Sequence, residues 1–318
     1  MSNLNINQLQ PPALDARLKL LSHSGICTLH KCPRLYQLRK LWPTYEWEDT
    51  VHTVYGKMFG AGVQALLAGS TIKEALWTAA MEWKLDLLAS DGTKSFWHCW
   101  RAIEKFADEF EDSELTDYEV VIFEGKPAIE LSFCIILPDG FYYRGYVDVV
   151  LRHKYSGQIL CVDIKTCGRK YTHDAKFKNS AQVIGYSIVL DYVVPGLQTF
   201  DILYHEFMTE LNKFEPHWFV IDNLQRAQWI QELLIDVSIM VNQYGPLESW
   251  PKRGESCYGW KPCTMIDTCD MATEHIIDTK PEAMHYGVDA LSIDNKAPYQ
   301  FTVTIEQLIA AQQAMLTT

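Results

Sequence analysis

The sequence predicts an α/β fold in which a mixed central β-sheet is flanked by helices. A helical pattern dominates up to about residue 111, and four strand-like runs follow between residues 118 and 166. A predicted helix separates these strands from two more, and strands on both sides of a crossover helix indicate a mixed sheet with helices on its faces. With 318 residues, 48% of them hydrophobic, the chain can bury a substantial core, as one large domain or as a domain with a helical annex.

The N-terminal part of the chain is predicted to be helical. Residues 1–20 have the composition of a polar arm, and residues 21–111 follow with a helical pattern. The capping box Thr71-Ile72-Lys73-Glu74 and an N-cap at Ser95 mark the beginnings of two helices. Aromatic residues at helical spacing favour core packing over a platform for stacking nucleic-acid bases: Trp77, Trp83, Phe96, Trp97, Trp100 and Phe106.

The sheet core occupies about residues 118–222. Its strands are predicted at Tyr118–Glu124, Ala128–Leu137, Phe141–Leu151, Gln158–Thr166, Phe200–Met208 and Glu215–Ile221. A hairpin turn is predicted at Pro138-Asp139-Gly140, and the crossover helix at Asp174–Asp191. A long helix, Asn223–Tyr244, and a cysteine segment complete a domain that spans residues 21–272. The tail, residues 273–318, contains one predicted helix, Thr304–Leu316, and oligomerisation is one role open to it.

Two acidic residues lie in neighbouring predicted strands. Asp148 follows Gly145 in the first strand, and Asp163 precedes Lys165 by two residues in the next. Because strand side chains alternate between faces, Asp163 and Lys165 point to one side, and a hairpin would bring Asp148 beside Asp163. Two carboxylates at one place repel each other, and a bound divalent cation commonly neutralises this repulsion. Mg²⁺ or Mn²⁺ there would activate water and neutralise phosphate charge, and Lys165 would position that water or stabilise the transition state.

The crossover helix adds two polar residues to this group. Gln182 and Tyr186 are four residues apart and therefore lie on one helix face. Each pair alone has a simpler interpretation, because Asp163 with Lys165 could be a surface ion pair and Gln182 with Tyr186 a polar spot on an amphipathic helix. The combination of the motifs in this order favours a metal-dependent nuclease.

These motifs resemble those of the PD-(D/E)XK nuclease superfamily and, within it, the RecB-like exonucleases, which include CRISPR-associated and phage-encoded members. The resemblance implies a restriction-endonuclease-like core, and it assigns roles to individual residues. Metal binding is implied for Asp148, Asp163 and Ile164, and catalytic roles for Glu130, Asp148, Asp163, Lys165, Gln182 and Tyr186. The family's helical Gly-x-x-x-His motif corresponds to Gly60–Gln64, so Gln64 stands where the metal-binding histidine is expected. An amide oxygen can bind Mg²⁺, which makes Gln64 a further candidate ligand.

Four cysteines form a second constellation. Cys257, Cys263 and Cys269 follow one another at equal intervals, and Cys32 begins the N-terminal segment Cys-Pro-Arg-Leu-Tyr. Their spacing alone is compatible with zinc, with iron–sulfur or with unligated cysteine. Several RecB-like nucleases hold a 4Fe-4S cluster with one N-terminal and three C-terminal cysteines, although usually with a Cys-x-x-Cys spacing. The resemblance therefore implies a cluster at these residues, which would tie the N-terminal helix to the C-terminal segment.

The charge of the chain bears on its partners. A net charge of −12 opposes binding to nucleic acid, but residues 31–40 and 165–178 form two local basic patches. Arg34, Arg169 and Lys170 in these patches are therefore predicted to contact DNA phosphates, with solvated loops as the alternative. The first twenty residues lack the layout of a signal peptide, and no run approaches the about 18 apolar residues of a membrane span. Nine cysteines in such a chain favour a reducing compartment, so a cytoplasmic location without membrane contact is expected.

Other catalytic signatures are missing from the sequence. It contains no P-loop motif, and His205-Glu206 lacks the second histidine of a zinc-protease helix. We therefore predict a Mg²⁺- or Mn²⁺-dependent DNA exonuclease acting in recombination, repair or the processing of phage or mobile-element DNA, with a homo-oligomer or a recombination protein as a candidate partner. The alternatives are a restriction-like endonuclease and a non-catalytic DNA-binding or scaffolding module that retains the nuclease fold.

Overall fold

The computed structural model describes residues 14–41, 49–84, 92–168, 175–178, 180–194, 199–258, 262–271 and 301–316. The chain divides into two compact units: residues 1–46, 133–145 and 230–309 form the first unit, and residues 47–132, 146–229 and 310–318 form the second. The predicted domain limits at residues 20 and 272 coincide with none of the boundaries between these units, so the predicted domain division stays a prediction. Among the residues described, no helix is long and apolar enough to cross a membrane.

A run of helices is followed by a run of strands, as predicted, and two further strands follow the crossover helices. The helices are α1 His23–Lys31, α2 Pro33–Leu41, α3 Val51–Leu67, α4 Ile72–Ala80, α5 Phe96–Glu111, α6 Ala175–Lys178, α7 Ala181–Val193, α8 Asn223–Ile239 and α9 Ile305–Leu316. The strands are β1 Leu20–Leu21, β2 Tyr118–Val120, β3 Ile122–Phe123, β4 Lys126–Pro127, β5 Ile129–Ile136, β6 Tyr142–His153, β7 Ile159–Cys167, β8 Phe200–Met208, β9 Lys213–Ile221 and β10 Phe301–Thr304.

The central sheet is mixed, as predicted. Its strand order is β10-β5-β6-β7-β8-β9, and β1 and β2 also pair with β6. Strand β7 is antiparallel to β6 but parallel to β8, because the helices α6 and α7 carry the chain across between them. The first predicted strand is divided, since β3 pairs with β4 in a separate two-stranded sheet. The predicted fold class, an α/β fold with a mixed sheet flanked by helices, is confirmed.

The second unit contains the helical region of α3, α4 and α5. The predicted caps are confirmed, because the side chain of Thr71 accepts a hydrogen bond from the backbone of Glu74 and that of Ser95 accepts one from His98. The core prediction holds for Trp83 and Phe106, which are buried. It is wrong for two other residues, Trp77 and Trp97, which are 71% and 64% exposed and therefore lie on the outer faces of their helices.

The core of the second unit also fixes the faces of β7. Val162 packs with Val149 and Leu203 in a buried cluster, and Ile164 packs against the same cluster. Because strand side chains alternate, the residues between and beyond them, Asp163 and Lys165, point to the opposite face of the sheet. This alternation was predicted from the sequence, and it places the acidic residue and the lysine together.

Candidate active site

The pairing of β6 with β7 brings two carboxylates together. Val149 lies opposite Val162 in the antiparallel register, so Asp148 and Asp163 are the next residues of the two strands. The backbone N–H of Ile164 donates a hydrogen bond of 2.9 Å to Oδ2 of Asp148. The predicted approach of Asp148 to Asp163 is therefore confirmed. Gly145 precedes the pair because a side chain there would have its Cβ within 2.7 Å of the Phe133 ring.

Asp163 is a buried carboxylate beside a lysine. Its side chain is fully buried, and Nζ of Lys165 lies 2.6 Å from its Oδ2. Oδ1 has no hydrogen-bond partner among the residues described, and Lys165 is the cation that contacts Oδ2. Burial raises the pKa of Asp163 to about 7, and the charges of Asp148 and Glu130 add to that increase while Lys165 opposes it. A cation placed at these oxygens would remove the cost of burying the charge.

The other charged groups of the site respond to the same surroundings. Burial raises the pKa of Asp148, although Lys165 and the backbone N–H of Ile164 oppose this increase. Burial by itself would lower the pKa of Lys165, but Asp163 and Asp148 outweigh it, so the pKa is raised. The ammonium group of Lys165 is therefore held in its charged form beside Asp163.

Helix α7 places its two predicted residues at the same site. Nε2 of Gln182 donates a 2.6 Å hydrogen bond to the hydroxyl oxygen of Tyr186, and Nζ of Lys165 donates a 3.5 Å bond to Oε1 of Gln182. Tyr186 is buried, and burial raises the pKa of its hydroxyl well above the usual value. The structure thus links Gln182 and Tyr186 to Lys165 through a chain of hydrogen bonds.

Helix α7 is itself fixed by α8, through contacts that the sequence reasoning missed. A Cβ at Gly185 would lie 2.8 Å from the ring of Trp229, so only glycine permits this packing. Nε1 of Trp229 donates a 2.8 Å hydrogen bond to the carbonyl of Ala181. Arg226 of α8 forms a buried ion pair with Asp191 of α7. The one available signal was the glycine inside the helical motif, which indicates a close approach by another element.

Two further candidates, Glu130 and Gln64, contact each other. Nε2 of Gln64 donates a 2.6 Å hydrogen bond to Oε1 of Glu130. The atoms around Glu130 desolvate its carboxylate and thereby raise its pKa, and Asp148 raises it further, whereas Gln64 and Lys165 lower it. The backbone N–H of Val150 in β6 donates a 2.9 Å hydrogen bond to the carbonyl of Ala128, two residues before Glu130, so Glu130 lies near Asp148 on the neighbouring strand.

The donor set of the site fits a hard divalent cation. Mg²⁺ commonly binds one or two carboxylates and keeps water and substrate phosphate oxygens as its other ligands. Asp148 and Asp163 meet that requirement, since Oδ1 of Asp163 is buried without a hydrogen bond among the residues described. Within the same residues, no group of three or more His, Cys, Asp or Glu side chains could hold a metal ion by itself. The side chain of Ile164 has no donor atom, so its predicted role as a ligand applies only to its backbone carbonyl.

Three residues were predicted to contact DNA phosphates: Arg34, Arg169 and Lys170. Arg34 is fully buried, and it donates hydrogen bonds to the carbonyls of Cys269 and Met271 and to the side chain of Gln37. The prediction that Arg34 contacts DNA is therefore wrong, because its guanidinium group is occupied within the first unit. Arg169 and Lys170 lie outside the described residues.

The four predicted cluster residues, Cys32, Cys257, Cys263 and Cys269, line one cavity of the first unit. The cavity has a volume of about 20 Å³, and its remaining lining consists of Leu35, Leu38, Lys252, Ser256, Met265 and Ile266. Burial raises the pKa of Cys269, while the nearby Lys252 and Arg34 lower it. The structure thus brings the four cysteines together, but none of the described residues form a group of three metal ligands. A cavity of this size holds about one water molecule.

A family comparison gives the class of this protein, a nuclease. The sequence matches the PD-(D/E)XK nuclease superfamily over residues 20–270, and the chain belongs to that superfamily. Among solved structures, a candidate exonuclease from Eubacterium rectale is similar over 84% of this chain and 98% of its own, with 12% identity and a TM-score of 0.45. A protein designated SSO0001 is similar over 71% of this chain and 91% of its own, with 12% identity and a TM-score of 0.26. No curated protein matches the sequence.

Proposed function

We propose that the protein is a Mg²⁺- or Mn²⁺-dependent deoxyribonuclease that acts as an exonuclease. The observation that carries the proposal is the buried carboxylate of Asp163, which lies beside Asp148 and Lys165 and whose Oδ1 lacks a hydrogen-bond partner among the residues described. The resemblance to the RecB-like exonucleases supports the choice of an exonuclease. Recombination, repair or the processing of phage or mobile-element DNA is the corresponding biological setting.

The residues of the site can each serve the hydrolysis of a phosphodiester. Asp148 and Asp163 would hold the cation, with the backbone carbonyl of Ile164 as a further donor, and the bound cation would supply Lewis-acid stabilisation of phosphate charge. Lys165 can donate a hydrogen bond to the attacking water or to a phosphate oxygen. Gln182 accepts a hydrogen bond from Lys165 and thereby orients it, and Tyr186 holds Gln182. The water oxygen bonds to phosphorus while the bond from phosphorus to the leaving oxygen breaks, and the proton that the water loses ends on the leaving oxygen, which departs as a hydroxyl group.

The test is degradation of end-labelled linear DNA, run beside closed circular DNA. We expect the anaerobically purified protein to release the label with Mg²⁺ or Mn²⁺ and to leave the circle intact. Lys165→Ala should abolish the release, because it removes the ammonium group beside Asp163. Lys213→Ala is the matched control, since Lys213 is exposed and paired only with Glu215 in the described contacts.

Other results of this cleavage test would favour a different function or a different site. Cutting of the closed circle would indicate a restriction-like endonuclease. Binding of DNA without cleavage under either metal would indicate a non-catalytic module that retains the fold. Cleavage that persists unchanged in Lys165→Ala would place the chemistry at other residues.

We further propose that Cys32, Cys257, Cys263 and Cys269 hold a structural 4Fe-4S cluster, with zinc as the alternative. Support comes from their common cavity and from the nearby cations Lys252 and Arg34, which favour thiolates. Cys263→Ser should lose iron, lose the visible absorption band and unfold at a lower temperature. Cys27→Ser is the matched control, because Cys27 is exposed and lies outside the cavity lining. A colourless protein containing zinc would support the alternative, and a metal-free protein as stable as its Cys263→Ser variant would refute both metals.

A further inference from the structure

A short hydrogen bond joins the end of α3 to the beginning of β5. Gln64 lies in the last turn of α3 and is only 9% exposed, whereas Glu130 is exposed at the second residue of β5. The bond from Nε2 of Gln64 to Oε1 of Glu130 is 2.6 Å long. An ionised carboxylate can only accept hydrogen bonds, so the amide nitrogen must face Glu130. The direction of the Gln64 side chain is thereby determined, and its buried position holds the more exposed carboxylate in place.

The backbone at Glu130 is unusual for a strand. Its φ is +47°, in the left-handed region that non-glycine residues rarely adopt. The other non-glycine residues with positive φ in the described part of the chain, Glu124, Asp139 and Asn212, lie in turns. Such a conformation costs free energy and persists where the surrounding structure imposes it, commonly at functional sites. Here it occurs two residues after Ala128, whose carbonyl accepts a 2.9 Å hydrogen bond from the backbone N–H of Val150 in the neighbouring strand β6, so the Glu130 carboxylate lies near Asp148.

The contacts of the site also define the type of donor that it offers. Gln64 and Glu130 form one hydrogen-bonded pair, Asp163, Lys165, Gln182 and Tyr186 form a linked group, and Asp148 accepts a bond from the backbone of Ile164. All of these side chains carry oxygen, amide or ammonium groups. None of these is an imidazole or a thiolate, the ligands that strengthen binding of Mn²⁺, Co²⁺ and Zn²⁺ relative to Mg²⁺. In the described chain, no three acidic or histidine side chains lie close enough to bind one ion together. An ion bound there would therefore keep part of its water, as Mg²⁺ does in protein sites.

We infer that Gln64 is a positioning residue that holds Glu130 beside the metal site. There this third carboxylate accepts hydrogen bonds from the water molecules bound to the ion. This arrangement makes the site selective for Mg²⁺ over Mn²⁺ and Zn²⁺. The inference rests on the proposed function, because it concerns the same metal site. It assigns Gln64 an indirect role, since its amide nitrogen is engaged by Glu130. Glu130 acts through the charge and hydrogen-bonding capacity of its carboxylate.

The experiment measures binding of Mg²⁺ alone and Mn²⁺ alone to the full chain, without DNA, by calorimetric titration. Gln64→Leu removes the hydrogen bond and should weaken Mg²⁺ binding by about 10- to 100-fold, the usual effect of losing an outer-shell partner. Gln64→His introduces an imidazole and should raise the ratio of Mn²⁺ affinity to Mg²⁺ affinity by about tenfold or more. Gln231→His, on the exposed face of α8, is the matched control and should leave that ratio unchanged.

A second variant separates a loss of metal binding from a loss of folding. Glu130→Asn removes the carboxylate, and asparagine tolerates the left-handed backbone better than glutamate does. In EDTA, we expect the unfolding temperature of Glu130→Asn to be no lower than that of the native chain. Its Mg²⁺ affinity should nevertheless be about 10- to 100-fold weaker than that of the native chain. Native Mg²⁺ affinity in both Gln64→Leu and Glu130→Asn, or an unchanged affinity ratio in Gln64→His, would overturn the inference.

The outcomes separate this inference from the proposed function. Selective Mg²⁺ binding that depends on Gln64 and Glu130, in a protein that cleaves no DNA, would support the inference and contradict the proposed activity. DNA cleavage with an unchanged metal preference in Gln64→His would do the reverse. A native chain that binds neither ion without DNA would overturn the inference, because the side chains alone would then not form the site.

Discussion

Asp163→Asn is expected to reduce the rate of DNA cleavage by about 1000-fold or more. The bound cation contributes several kcal/mol of transition-state stabilisation, and each ~1.4 kcal/mol corresponds to a tenfold change in rate. Replacing the buried carboxylate by an amide of the same shape removes the charge that would hold the cation and leaves the packing intact. The measurement is single-turnover cleavage of end-labelled DNA, with the exposed Asp117→Asn as the control variant. Turnover at the native rate would contradict the assignment of Asp163 as a metal ligand.

The same substitution should change the dependence of stability on pH. The pKa of Asp163 is raised from 3.8 to about 7, so the folded state binds this proton more tightly than the unfolded state does. The stability that the protonated group contributes is therefore complete below about pH 4 and is lost as the pH rises through about 7. In EDTA at about pH 8, Asp163→Asn should unfold at a higher temperature than the native chain, and the difference should shrink at about pH 5. Added Mg²⁺ should stabilise the native chain only.

The parts of this site that follow from local sequence could be predicted. Alternation along a strand placed Asp163 and Lys165 on one face, and a short connection between β6 and β7 made Asp148 their neighbour. Helical spacing likewise placed Gln182 and Tyr186 together. Each of these relations depends on residues that are near in sequence or on neighbouring strands, so periodicity alone decides them.

The predictions that were wrong, and the contacts that were not predicted, depend on residues that are far apart in the sequence. The charge of Arg34 suggested DNA binding, but the carbonyls that engage it belong to Cys269 and Met271. The same limit applies to Trp77, since helical spacing shows which residues share a face but not whether another element covers that face. The bond between Gln64 and Glu130 joins residues 66 positions apart, and no sequence pattern indicates it.

The anchoring of α7 illustrates how such distant contacts prepare a local site. Gln182 and Tyr186 can orient Lys165 only if the helix that carries them is held at a fixed distance from β7. Trp229 holds the N-terminal end of this helix through Ala181 and Gly185, and Arg226 holds its C-terminal end through Asp191. Helix α8 therefore positions catalytic candidates that it does not itself contain.

Arg226→Met is accordingly expected to lower the free energy of unfolding by about 3–5 kcal/mol, the usual cost of removing one partner of a buried ion pair. Arg226 is fully buried, and the side chain of Asp191 is 3% exposed. The guanidinium also donates a 2.8 Å hydrogen bond to Asn223 and lies 5.0 Å from the centre of the Phe200 ring. Methionine can fill much of that space, but it leaves the Asp191 carboxylate buried without its counter-ion.

Urea unfolding of a double-mutant cycle measures this effect. Arg226→Met combined with Asp191→Leu should recover most of the lost stability, because a buried pair replaced by apolar groups of similar volume is often no less stable than the original. Lys213→Met, which breaks the exposed pair with Glu215, should change stability by less than about 1 kcal/mol. An Arg226→Met variant within about 1 kcal/mol of the native chain would mean that water reaches Asp191, and that the packing of Trp229 suffices to hold α7 in place.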